Sequence, residues 1–155
     1  MIAMNRLLAG LALAASLVSQ LCVGPAAAQL LQPPKKAAHV AIIRGPELEL
    51  ARDDLAIIRW TSTNPGGDDD HFAVVHYGTD PMELSRTAKS HIRLNRTHKE
   101  TIFRVLVDGL TPRTIYYYTV TSMTADGQSD GVESPISQFT TPDRGGQLVA
   151  YPQPK

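Results

Sequence analysis

The chain has 155 residues, with 15 Lys and Arg balanced by 15 Asp and Glu, and one cysteine. Zero net charge with both signs scattered along the sequence excludes the basic stripe by which nucleic acid or an anionic membrane is held. The length supports one core and leaves no room for two.

Residues 1–28 read as an export signal. Arg6 supplies a short positive start, an apolar stretch follows over 7–23, and Ala26, Ala27 and Ala28 form a small-residue site with cleavage expected after Ala28. Gly10, Ser16, Ser19 and Gln20 interrupt the apolar stretch, which favours a cleaved signal over a spanning helix. The expectation is a secreted or periplasmic protein with no membrane attachment once the signal is removed. Leu21 stands before Cys22 where a lipidation site wants a small residue, so acylation is not expected. Cleavage removes Cys22 and Arg6, leaving a cysteine-free chain of net charge −1 whose stability must come from packing.

Residues 29–37, with Pro33, Pro34, Lys35 and Lys36, read as an extended leader, and residues 143–155, with Gly145, Gly146, Pro152 and Pro154, as a flexible tail. The periodic pattern lies between them, over 38–142. A short strand over 40–44 stops at Gly45-Pro46 and resumes over 47–51. Residues 56–61 put Ala56, Ile58 and Trp60 on one face, and Asn64 to Asp70 is a loop rich in turn residues. Residues 72–77 set Ala73, Val75 and Tyr77 against Phe72, Val74 and His76. Residues 82–92 hold a weak edge strand guarded by Arg86 and Lys89. Phe103, Val105 and Val107 mark a strand over 101–107, and Phe139 one over 137–141.

The segment from Gly109 to Val120 carries the most information. Leu110 ends one strand, Pro112 makes a corner, and Tyr116, Tyr118 and Val120 alternate inward, so that a tyrosine just inside the new strand can bond back to the turn: a tyrosine corner. Seven short strands without a helical pattern predict an all-β fold, a seven-stranded antiparallel immunoglobulin-like β-sandwich preceded by the signal peptide. An antibody-type domain would need a Cys, Trp, Cys arrangement, and this chain has Trp60 alone, on its second strand.

Trp60, Tyr77 and the corner residues Leu110, Pro112, Thr114, Tyr116, Tyr118 and Val120 resemble a fibronectin type III domain over roughly 38–142. More narrowly, Val75-His76-Tyr77-Gly78-Thr79, the corner, and Phe139-Thr140-Thr141-Pro142 are similar to the N-terminal fibronectin-like domain of purple acid phosphatases. In that family the chemistry belongs to a separate C-terminal domain that holds two metals. Neither Gly-Asn-His nor His-x-His occurs here, and Gly67-Asp68-Asp69-Asp70-His71 has His where the family has Tyr. The resemblance therefore implies a scaffold without catalytic, metal-binding or cofactor-binding residues, and no enzyme.

Other groups have plain readings. Asp68, Asp69 and Asp70 lack the spacing of a calcium loop and read as a solvated turn. His39, His71, His76, His91 and His98 lack metal-ligand spacing and read as surface residues, His71 in the loop before the third strand. Asn95-Arg96-Thr97 is a formal glycosylation sequon whose use depends on the host. Phe72 and Tyr117 are the candidates for a binding face. The expected function is an exported, non-catalytic module for protein or glycan contacts or for spacing, with no nucleic-acid partner. An accessory domain that docks onto a separately encoded metallophosphoesterase is the alternative.

Overall fold

The computed structural model describes residues 35–149. The export signal expected over 1–28, with Cys22, the leader residues up to 34 and the tail from 150 onward lie outside the described residues. The described chain is all-β, built from β1 Ile42–Arg52, β2 Leu55–Thr63, β3 Asp70–Gly78, β4 Arg86–Arg93, β5 Glu100–Asp108, β6 Ile115–Thr124, β7 Ser129–Glu133, β8 Ser137–Thr140 and β9 Gln147–Val149. One sheet has the order β5-β2-β1-β9. The other runs β4-β3-β6-β7, with β8 also on β6. All described pairings are antiparallel.

The expected seven strands are present, with two additions. β7 and β8 follow one another along β6, so they are two halves of one strand. Ser134 bridges the break between them: the Val120 amide donates to its hydroxyl, and its own amide donates to the Val120 carbonyl. The β7 half, Ser-Asp-Gly-Val-Glu, has no apolar alternation and gave no strand signal. Gln147–Val149, expected in the loose tail, pair with Leu50, Ala51 and Arg52 and extend the first sheet. Lys36 and Ala37, expected in the leader, are tied to the β2–β3 loop: Lys36 bridges Gly66, and the Ala37 amide donates to the Pro65 carbonyl.

β1 runs unbroken through Gly45-Pro46, its register against β2 shifting there. Gly45 has φ 76°, and a Cβ at this position would stand 2.9 Å from the Arg59 carbonyl oxygen. Only glycine lets the two strands approach so closely at that backbone angle.

β5 shows how sequence dictates burial. Thr101, Phe103, Val105 and Val107 are buried and the residues between them are exposed, the period of 2 that a strand with one covered face demands. Trp60 and Phe103 face each other across the β2–β5 pair and stack at 5.1 Å between centroids. Tyr116 and Tyr118 both pack on Phe139, at 5.7 and 5.8 Å. Burial pushes the Tyr118 hydroxyl up to about 12, against the opposing effect of its hydrogen bond with Ser137.

Leu110 and Tyr116 are buried, and the Thr111 amide donates to the Tyr116 hydroxyl at 3.0 Å, completing the corner. Thr141, in the sequence only a member of the closing motif, fastens its other side. The Thr141 hydroxyl donates to the Thr111 carbonyl at 2.6 Å and accepts from the Thr114 amide at 2.9 Å. Tyr116→Phe is expected to cost about 1 kcal/mol, the net value of one hydrogen bond. Tyr117→Phe, on the opposite side of β6, is expected to change stability by less than about 0.5 kcal/mol. Urea unfolding of both variants checks the phase of the strand, which equal losses would contradict.

Candidate functional site

The strand registers fix what each face offers. Phe72 pairs with Met123, and Tyr117 with Gly78, so both proposed contact residues lie on the outer face of the five-stranded sheet. Val74, Thr121, His76 and Thr119 separate them along the β3–β6 pair. Phe72 also meets the edge of His91 at 5.5 Å, and Val74, next along the same face, is fully buried. Phe72 and Tyr117 thus share a face without forming one patch.

The outer face of the four-stranded sheet is more continuous. Leu106 pairs with Ile57, Ile57 with Leu50, and Leu50 with Val149, an apolar row across all four strands. Its two ends are about half exposed, Leu106 at 52% and Val149 at 51%. Ion pairs cross the same sheet: Arg59 with Glu47 at 3.4 Å, Arg44 with Glu100 at 3.2 Å, and Arg104 with Glu49.

The acidic run is not a free turn. Asp70 opens β3 and reaches His91 at 3.2 Å, while Asp69 pairs with Arg96 and stands 3.8 Å from Arg93. The Asp69 carbonyl accepts from the Leu94 amide at 2.7 Å, clamping the β4–β5 loop to the start of β3. Among the described residues no group of three His, Cys, Asp or Glu is gathered to hold a metal ion.

His71 departs most from the sequence reading. It lies in β3, not in the preceding loop, and is fully buried. Its Nε2 stands 3.3 Å from Oδ1 of Asp130, whose side chain is equally buried. The contact is off the hydrogen-bond direction, because both ring nitrogens and Oδ1 lack hydrogen-bond partners among the described residues. Ser122 donates to the other carboxylate oxygen at 2.7 Å, and the Lys36 ammonium lies 3.9 Å from Oδ1. Sequence reasoning missed this cluster because Asp130 belongs to the strand that gave no signal.

Two grooves flank the β4–β5 loop and share His98. One, of about 630 Å³, is lined by Arg93, Asn95, Thr97, Lys99, Glu100 and Thr101, together with Ile92 and Ile102. The other, of about 500 Å³, is lined by Lys35, Lys36, Asn64, Gly66, Gly67 and Arg96, with Ala37 and Ala38. The Asn95 side-chain carbonyl accepts from both the amide and the hydroxyl of Thr97, and the Asn64 side chain donates to the Asn95 and His98 carbonyls. These bonds hold the loop in one shape.

The fold these elements define is a fibronectin type III-like β-sandwich. Residues 44–141 match the family model of the purple acid phosphatase N-terminal domain, and the chain belongs to that family. The match runs from within β1 to just past β8, the sandwich without β9 and the first residues of β1, and the domain it describes is the N-terminal, not the catalytic, part of those enzymes. Among solved structures, similarity extends to a sensor domain of the anti-sigma factor RsgI4 of Pseudobacteroides cellulosolvens. The identity is 18%, covering 76% of this chain and 97% of that one, with a TM-score of 0.41. The third fibronectin III domain of human KIAA0343 protein is 16% identical over 66% of this chain and 83% of its own, with a TM-score of 0.38. The fn3 domain of human collagen alpha-1(XX) chain is 18% identical over 71% and 90%, with a TM-score of 0.34. A search of curated proteins gave no match.

Proposed function

We propose that this protein is an exported, non-catalytic module that makes contacts with protein or glycan partners. The observation that carries the reading is the extent of the family match. It covers most of the sandwich and corresponds to the domain that, in purple acid phosphatases, accompanies the catalytic one. Fold alone does not assign function, so the reading is tested on activity. Purified protein given Fe, Zn or Mn is expected to hydrolyse a chromogenic phosphomonoester no faster than buffer. Metal-dependent turnover that tracks the protein through purification would overturn it.

Docking onto a separately encoded metallophosphoesterase is a second reading, favoured by the apolar row from Leu106 through Ile57 and Leu50 to Val149. A row spanning four strands, with the neighbouring charges already paired within the sheet, suits burial against another protein. Leu106→Asp is expected to abolish co-purification of such an enzyme, because a buried unpaired carboxylate is strongly disfavoured. Retention of the enzyme by this variant would remove the face from consideration.

A further inference from the structure

We infer that the two grooves beside the β4–β5 loop form one site for a carboxylated oligosaccharide, a chain bearing uronic acids. The inference rests on the contact-module reading and names its ligand. The second groove is lined by Lys35, Lys36, Arg96 and His98 with no carboxylate. In the first, the single acid, Glu100, is engaged by Arg44 at 3.2 Å. Asp69 is shared between Arg93 and Arg96, so one negative charge faces two guanidinium groups. Lys35 and Lys99 are exposed and have no ion-pair partner among the described residues. Cations lining clefts with low-dielectric walls concentrate an anionic ligand.

The distribution of these charges selects among anions. They are spread along two adjoining grooves on either side of His98, rather than converging on a point as a lone phosphate would require. A ligand with several separated carboxylates fits that spread. Between the cations, Asn64 is spent on holding the loop, while the Asn95 amide nitrogen and the Thr97 hydroxyl oxygen keep free capacity, which suits the hydroxyls of a sugar. No Trp, Tyr or Phe lines either groove, so the stacking platform on which single-stranded nucleic acid depends is missing.

Oligogalacturonate titrated into the whole protein by calorimetry tests the site. Saturable binding is expected, weakened by at least about tenfold in the Lys35→Gln, Lys99→Gln double variant, and weakened as salt rises from about 50 to about 200 mM. Both lysines are exposed, so an unchanged urea midpoint will show that the variant is folded. No binding, unaltered binding by the variant, or equal binding of the neutral maltopentaose would overturn the inference. Inorganic phosphate displacing the sugar would reduce the site to a simple anion site, and tighter binding of an oligothymidylate would assign it to nucleic acid. Failure here leaves the contact-module reading standing, whereas phosphomonoester hydrolysis would remove that reading whatever the sugar does.

Discussion

Trp60→Ala is expected to lower the stability of the sandwich by about 3–5 kcal/mol, the usual cost of truncating a large buried aromatic. Trp60 is 2% exposed, and its ring stacks on Phe103 with only 13° between the planes. Removing it takes away the buried apolar area and leaves a hole that β-strands fixed by their ladders collapse into poorly. Phe103 would also lose its partner across the β2–β5 pair. Against a total of roughly 5–15 kcal/mol for a typical domain, this is a loss large enough to leave a measurable unfolded fraction. Urea unfolding monitored by far-UV circular dichroism checks it, since Trp60 is the one tryptophan of the chain and its fluorescence goes with it. A midpoint close to wild type would place Trp60 outside the core.

That residue was legible in the sequence because it obeys a local rule. Ala56, Ile58 and Trp60 recur at every second position, as do Phe103, Val105 and Val107, and these six residues all lie in the buried core cluster. The tyrosine corner was legible for a related reason: its turn, its proline and its hydroxyl fall within a few consecutive residues, so a short-range pattern implies the bond between Thr111 and Tyr116.

What escaped was non-local or lacked periodicity. His71 follows three aspartates, a composition that reads as loop, yet the ladder that pairs it with Ile92 and Thr124 draws it into β3 and under cover. Gln147–Val149 find their partners about 100 residues away in β1, where no sequence period points. The two grooves join Lys35 and Arg96, also remote in sequence. Scattered charges make no stripe in the sequence, and the cation-lined clefts arise only where the β4–β5 loop meets the residues that precede β1.

The buried cluster around Asp130 supplies the second large effect. Asp130→Ala is expected to cost about 3 kcal/mol, combining a lost hydrogen bond to a carboxylate with polar groups left unpaired out of water. The Ser122 hydroxyl would lose its acceptor at 2.7 Å, and His71 the carboxylate oxygen 3.3 Å from its Nε2. The side chains of His71 and Asp130 are both wholly buried, so water cannot replace what is removed. Lys36→Ala provides the contrast. Its side chain is 42% exposed and its 3.9 Å contact is screened by solvent, so a loss of under about 1 kcal/mol is expected. The origin of the Asp130 effect is tested by adding His71→Leu. If the cost comes from stranding polar groups, the double variant loses less than the sum of the two single losses, because an apolar side chain no longer asks for a partner. Strict additivity in urea unfolding, or an Asp130→Ala loss no greater than that of Lys36→Ala, would mean that the cluster is a bystander in the fold.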